Sequence, residues 1–151
     1  FTRHGEKPRL LVRYDEASFD QALVETIVQQ RADYETVAVL TKNREQAQAI
    51  YRFLHQRQLG DLHLLTARDS DLPAGILVLP VYLAKGLEFD AVIAADVSTA
   101  NLQNVDAVGM VYTMATRAMH SLTLLSKGAV TPAINSAASQ QLVIEHEFTD
   151  K

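Results

Sequence analysis

Two short apolar runs, Gly75–Pro80 and Ala91–Ala95, constrain this chain more than any other feature. Each has the length and unbroken hydrophobicity of a strand buried on both faces, the kind found inside parallel sheets. Between them stands Val81-Tyr82-Leu83-Ala84-Lys85-Gly86-Leu87-Glu88-Phe89-Asp90, in which Lys-Gly and then Glu-Phe-Asp interrupt the apolar pattern. Charges and a glycine caught between core strands read as a loop at a sheet edge, where open α/β sheets carry their sites. A plain surface turn is the other reading of the same spacing.

The rest of the chain alternates strand and helix signals, the pattern of a parallel α/β sheet with helices on both faces. Residues 1–9 are polar and read as a linker, and Leu10–Tyr14 as a first strand. Ser18 with Gln21 three places on forms a capping-box arrangement that opens a helix. Phe19, Ala22, Leu23, Thr26 and Ile27 share one face of that helix. Thr36–Thr41 is a β-branched, apolar strand. Asn43 caps a second helix that buries Ala47, Ile50, Tyr51 and Leu54, runs to about Gln58 and ends at Gly60. Leu62–Leu65 reads as a short strand and 67–74 as a loop. Ser98–Val105 is another loop, and Asp106 caps a helix whose stripe is Val111, Met114, Ala115 and Ala118. Leu122–Ser126 is a strand, Lys127-Gly128 and Thr131-Pro132 mark turns, and 141–147 alternates as an edge strand.

Composition limits what such a domain does. A chain of 151 residues, 48% hydrophobic, buries one core as a single domain. It begins with Phe1 rather than Met, so the expectation is a fragment of something larger. Without cysteine it has no disulfide and no thiolate metal site, and a reducing cytoplasm suits it. No run of ~18 apolar residues is present to span a membrane. The five histidines (His4, His55, His63, His120, His146) show no paired ligand spacing, and no metal site is expected. A domain gripping nucleic acid by itself is usually basic, whereas this one carries a net charge of −4. Any such grip is local, or shared with another domain.

Three segments carry a resemblance. Ala84-Lys85-Gly86-Leu87-Glu88-Phe89-Asp90 resembles motif V of the UvrD/Rep-like superfamily 1 helicases, His-x-x-Lys-Gly-Leu-Glu-Phe. Val111-Tyr112-Thr113-Met114-Ala115-Thr116-Arg117-Ala118 resembles motif VI, with its Tyr-x-x-x-Thr-Arg-Ala core, and Val37–Asn43 is similar to motif IV. The motifs stand in family order over 37–125. Residues 117–122 and the opening Gly5-Glu6-Lys7-Pro8 look most like the helicase IV and HelD branch. The resemblance implies a single three-layer RecA-like lobe of the P-loop NTPase type over 1–151, the C-terminal half of a motor. UvrD and Rep insert a helical domain between motifs IV and V. Here about twenty-five residues fill that interval, too few for a domain, so contacts made by that insert do not carry over.

The same resemblance implies roles for individual residues. Arg117 becomes an arginine finger that neutralises charge on the departing terminal phosphoryl group; an exposed, solubilising arginine is the bland alternative. Glu88 accepts from the ribose hydroxyl of a bound nucleotide, or else pairs with Lys85. Lys85 lies where the nucleotide and nucleic-acid sites meet, and Gly86 lets backbone approach a ligand. Lys42 stands where the family usually has a phosphate-binding arginine; it keeps the charge without the planar fork. Tyr82 replaces the motif V histidine, whose role does not carry over; its ring stacks on a base or packs in the core.

No Gly-x-x-x-x-Gly-Lys-Ser/Thr phosphate loop is present, and no Ser-His-Asp context. The resemblance therefore implies that ATP and Mg²⁺ are held mainly by an N-terminal RecA-like lobe, and that this lobe alone is inactive. The implied partners are that lobe, single-stranded DNA and, on the HelD-like alternative, an RNA polymerase remodelled by ATP-driven closure. A degenerate protein-binding module is the third reading.

Overall fold

The structure is a computed structural model that describes residues 7–68, 71–135 and 145–148, the last four by backbone alone. Seven strands form one sheet: β1 (Arg9–Arg13), β2 (Thr36–Thr41), β3 (Leu62–Leu64), β4 (Gly75–Pro80), β5 (Phe89–Ala95), β6 (Ala118–Lys127) and β7 (Glu145–Phe148). Their order is β3-β4-β2-β5-β6-β1-β7, and every pairing is parallel. Helices α1 (Glu16–Asp33) and α2 (Arg44–Gln56) cover one face. A 3₁₀ turn (Val81–Ala84) and α3 (Ala107–Ala115) cover the other. This is the expected α/β architecture, a mainly parallel sheet with helices on both faces.

Each central strand splits its side chains between the two covers. In β2, Val37 and Val39 face α1 and α2 while Ala38 and Leu40 face α3; β4 divides Ile76 and Val78 from Leu77 and Leu79 in the same way. Because both faces are dry, these strands read as continuous apolar runs. β2 and β4 have the bounds expected from sequence, and Asn43 caps α2 by accepting the Gln46 N–H at 2.9 Å. Asp106 likewise caps α3 through the Gly109 N–H.

Other boundaries moved for local reasons. The α1 cap is Asp15, not Ser18: Asp15 Oδ1 accepts the Ser18 N–H and hydroxyl, both at 2.8 Å, so the carboxylate three residues earlier takes the orphan donors. α2 stops at Gln56, with Gln58 in the left-handed region (φ 59°) ahead of Gly60. β1 begins at Arg9, inside the stretch expected to be linker; 1–6 lie outside the described residues. β3 ends at Leu64, and β5 starts at Phe89. β6 starts at Ala118, four residues before the expected Leu122. The expected edge strand 141–147 is observed as β7, which pairs with β1; 141–144 lie outside the described residues. Among the described residues no helix is long and apolar enough to cross a membrane.

Candidate functional site

The connection from β4 to β5 builds the site. Pro80 ends β4 at the carboxyl end of the sheet, while Phe89 starts β5 at the amino end, so 81–88 must cross the face between them. The crossing starts as a 3₁₀ turn that buries Val81, Leu83 and Ala84 against the core and turns Tyr82 outward, 57% exposed. Lys85 (φ −59°, ψ 127°) and Gly86 (φ 80°) then make a reverse turn closed by the Leu87 N–H on the Ala84 carbonyl at 2.9 Å. These are the dihedrals of a type II turn, whose third residue needs positive φ and so takes glycine. Nothing lies within 4 Å of where a Gly86 Cβ would stand, so the turn faces open space.

Arg117 sits on that turn. It follows α3 and precedes β6, and its carbonyl accepts the Phe89 N–H at 2.8 Å, locking its backbone beside the start of β5. Its Nη1 donates to the carbonyls of Ala84 (3.5 Å) and Leu87 (3.4 Å), and its Nη2 to Thr116 Oγ1 at 3.2 Å. These bonds are long, at the weak end of the range. Nε is buried with no partner among the described residues. A half-buried guanidinium held by weak neutral acceptors, with one donor unused, is not a solubilising surface group. Its donors suit an anion that offers stronger acceptors.

The 3₁₀ turn and α3 flank a groove of about 510 Å³ lined by Val81, Tyr82, Lys85, Asp106, Gly109, Met110, Thr113 and Arg117. Three sequence-derived site residues, Tyr82, Lys85 and Arg117, therefore share one surface. Gly86 forms the turn beside them. Glu88 follows it, exposed, and is not part of the groove wall; it makes no ion pair with Lys85. Arg68, which no motif marks, also reaches the turn: its Nη1 donates to the Lys85 carbonyl at 3.0 Å.

Lys42 is not brought to this groove. It stands at the carboxyl edge of the sheet, as expected, where its Nζ donates to the Asn101 carbonyl at 2.8 Å. Strand register puts Lys42 near the Ala95 end of β5 and Arg117 near the Phe89 end, a strand length or ~20 Å apart. The loop expected at a sheet edge is thus at the amino edge, away from Lys42. The segment 85–88 precedes a strand and lies at the amino edge, because the β4–β5 connection traverses the face instead of turning back at the carboxyl edge.

The carboxyl edge has a site-like cavity of its own, about 440 Å³, between α1, α2 and the loop after β5. Asp96 organises it, accepting from the Ser98 N–H (3.0 Å), the Ser98 hydroxyl (3.1 Å) and the Lys127 N–H (2.8 Å). Asn101 donates to the Asp96 carbonyl at 2.7 Å and pairs with Gln46. Asp20 lines the same cavity, and burial, then the Glu16 charge, raise its carboxyl above the usual range.

Residues 75–125 match the family model of the UvrD-like helicase C-terminal domain. That segment contains every residue lining the groove, while Lys42 falls outside it. The whole chain is similar to the crystal structure of the C-terminal domain of a possible DNA helicase from Lactobacillus plantarum WCFS1. The TM-score is 0.81 at 28% identity, over 94% of this chain and 86% of that one. A comparison with curated proteins gave no match. Over its groove this chain is similar to the UvrD-like helicase C-terminal domain, and over nearly its whole length to the C-terminal domain of a possible DNA helicase.

Proposed function

We propose that this domain is the C-terminal motor lobe of an ATP-dependent DNA helicase or translocase, completing an ATP site and a single-strand track with an N-terminal lobe. The observation that carries this reading is Arg117 resting on the Lys85-Gly86 turn, in one groove with Tyr82. Among the described residues no three His, Cys, Asp or Glu side chains are placed to hold a cation. The reading therefore assigns Mg²⁺ and the phosphate cradle to the other lobe. Bound there, ATP supplies a terminal phosphoryl group for transfer to water.

The roles then follow from this chain's own groups. Closure of the lobes exposes the Arg117 guanidinium to an anion that competes with the Ala84 and Leu87 carbonyls. A phosphate oxygen, being anionic, is a stronger acceptor for the guanidinium than the neutral carbonyls it replaces. Arg117 moves onto the departing phosphoryl group and stabilises its developing charge. Its release frees two acceptors on the 84–87 turn, so hydrolysis and the position of Lys85 are coupled. Glu88, exposed and unpaired among the described residues, is available to the ribose hydroxyl. Lys85 and Tyr82 meet the strand as a charge and a stacking face.

ATP turnover by the full-length protein, with and without single-stranded DNA, tests the reading. Arg117→Ala lowers turnover by ~10³-fold or more while the protein stays folded. Turnover indifferent to Arg117 leaves a docking module instead. Hydrolysis without strand separation favours the remodeller.

A further inference from the structure

The loop between β3 and β4 sends one side chain to the groove's turn. Arg68 is exposed, and its Nη1 donates to the Lys85 carbonyl at 3.0 Å. That single bond fixes the guanidinium beside the Lys85-Gly86 turn and uses one of its five N–H donors. The others have no partner among the described residues. Lys85 and Gly86 are exposed as well, the space over Gly86 is open, and Tyr82 stands 57% exposed just before them. Two acids stand nearby, Asp106 of the groove wall, whose Oδ1 accepts the Gly109 N–H at 3.1 Å, and the exposed Glu88 after the turn. On a chain of net charge −4, two cations and an aromatic face thus border one open surface.

We propose that Arg68 is a further nucleic-acid-binding residue, holding a backbone phosphate of the single strand beside Lys85; this rests on the strand-contact role of the turn proposed above. The chemistry divides between them. A guanidinium offers a planar fork that matches a phosphate, whereas Lys85 offers a point charge. Its bond to the Lys85 carbonyl orients that fork, and Tyr82 provides a face for a base. Sequence alone does not reveal the pair, because loop and turn meet only in the folded sheet.

The test is equilibrium binding of a fluorescent oligodeoxythymidine strand to the full-length protein across a salt series, comparing wild type with Arg68→Gln, Arg68→Lys and Lys85→Ala. Glutamine keeps a donor for the Lys85 carbonyl but removes the charge. Arg68→Gln weakens binding by roughly three- to fivefold, as for one exposed charge contact. It also lowers the slope of log affinity against log salt by about 0.7, one phosphate on a single strand. Arg68→Lys recovers most of the slope. If Arg68→Gln binds like wild type while Lys85→Ala is weak, Arg68 only props the turn and the inference fails alone. If neither change affects binding, the strand-contact reading fails and takes the inference with it. A raised KM for ATP with unchanged strand binding assigns Arg68 to the nucleotide phosphates and overturns it.

Discussion

At the carboxyl edge of the sheet the Asp96 carboxylate accepts three hydrogen bonds, Asn101 joins Lys42, Gln46 and Asp96, and Lys127 reaches Glu16 at 2.8 Å. Across the face and toward the amino edge, the side chains of Tyr82, Lys85 and Glu88 have no hydrogen-bond or ion-pair partner among the described residues. Arg117 there makes only long bonds to carbonyls. Both regions are polar and both flank a cavity of similar volume. The carboxyl edge closes its hydrogen bonds on itself, which is how a polar loop is made part of a stable fold. The groove leaves the Lys85 side chain and the Tyr82 ring without partners among the described residues, which suits the binding surface proposed above.

The sharpest way to break this comparison is to set the two basic residues against each other in ATP turnover. Arg117→Ala costs ~10³-fold or more if it is the finger. Lys42→Ala, whose amino group already serves the Asn101 carbonyl, costs less than about tenfold. A Lys42 effect as large as that of Arg117 means that the lobes close over both regions, and the contrast drawn from hydrogen bonding is wrong.

Stability gives the reverse ranking. Asp96→Ala leaves the Ser98 and Lys127 N–H groups without acceptors, so the domain loses about 2–4 kcal/mol in urea denaturation. Lys85→Ala, removing an exposed group with no partner, stays within about 0.5 kcal/mol. Equal losses would make the turn as structural as the opposite loop.

What could be read beforehand follows the same division. β2 and β4 were legible to the residue, because a run such as Val37-Ala38-Val39-Leu40 is apolar on both faces and bounded by turn residues. The start of β6 was not: Ala118, though buried, continues the helical spacing of Val111, Met114 and Ala115, and the next residues, Met119 (43% exposed) and His120 (half-buried), extend no continuous buried run. Tyr82, Lys85 and Arg117 were nameable from their motifs, and the fold gathers them. Their shared position was not nameable, since nothing in sequence order says that 81–88 crosses the sheet face. Arg68 was invisible for a related reason. Its partner is a backbone carbonyl, which every residue has, seventeen positions away.

The smallest expected effect probes whether the carboxyl-edge cavity is at rest. Asp20 lines it, and its carboxyl titrates above the usual range, chiefly because burial penalises the charge and next because Glu16 is near; Lys127 and Arg57 pull the other way. A carboxyl whose folded pKa is raised binds its proton more tightly in the folded state. Stability therefore rises as pH falls through that pKa, and the ionised group is a small liability at neutral pH. Asp20→Asn removes the charge and keeps the shape. The variant is more stable at pH 7 by no more than about 0.5 kcal/mol, since the site is partly open to solvent and screened. The gain shrinks toward zero as pH falls and wild-type Asp20 takes up its proton. Chemical denaturation of both proteins at pH 7 and at pH 4 reads this difference. A variant less stable at pH 7 would mean that Lys127 and Arg57 hold Asp20 as a paired anion. The carboxyl edge would then be a charge network, with its cavity set between paired ions.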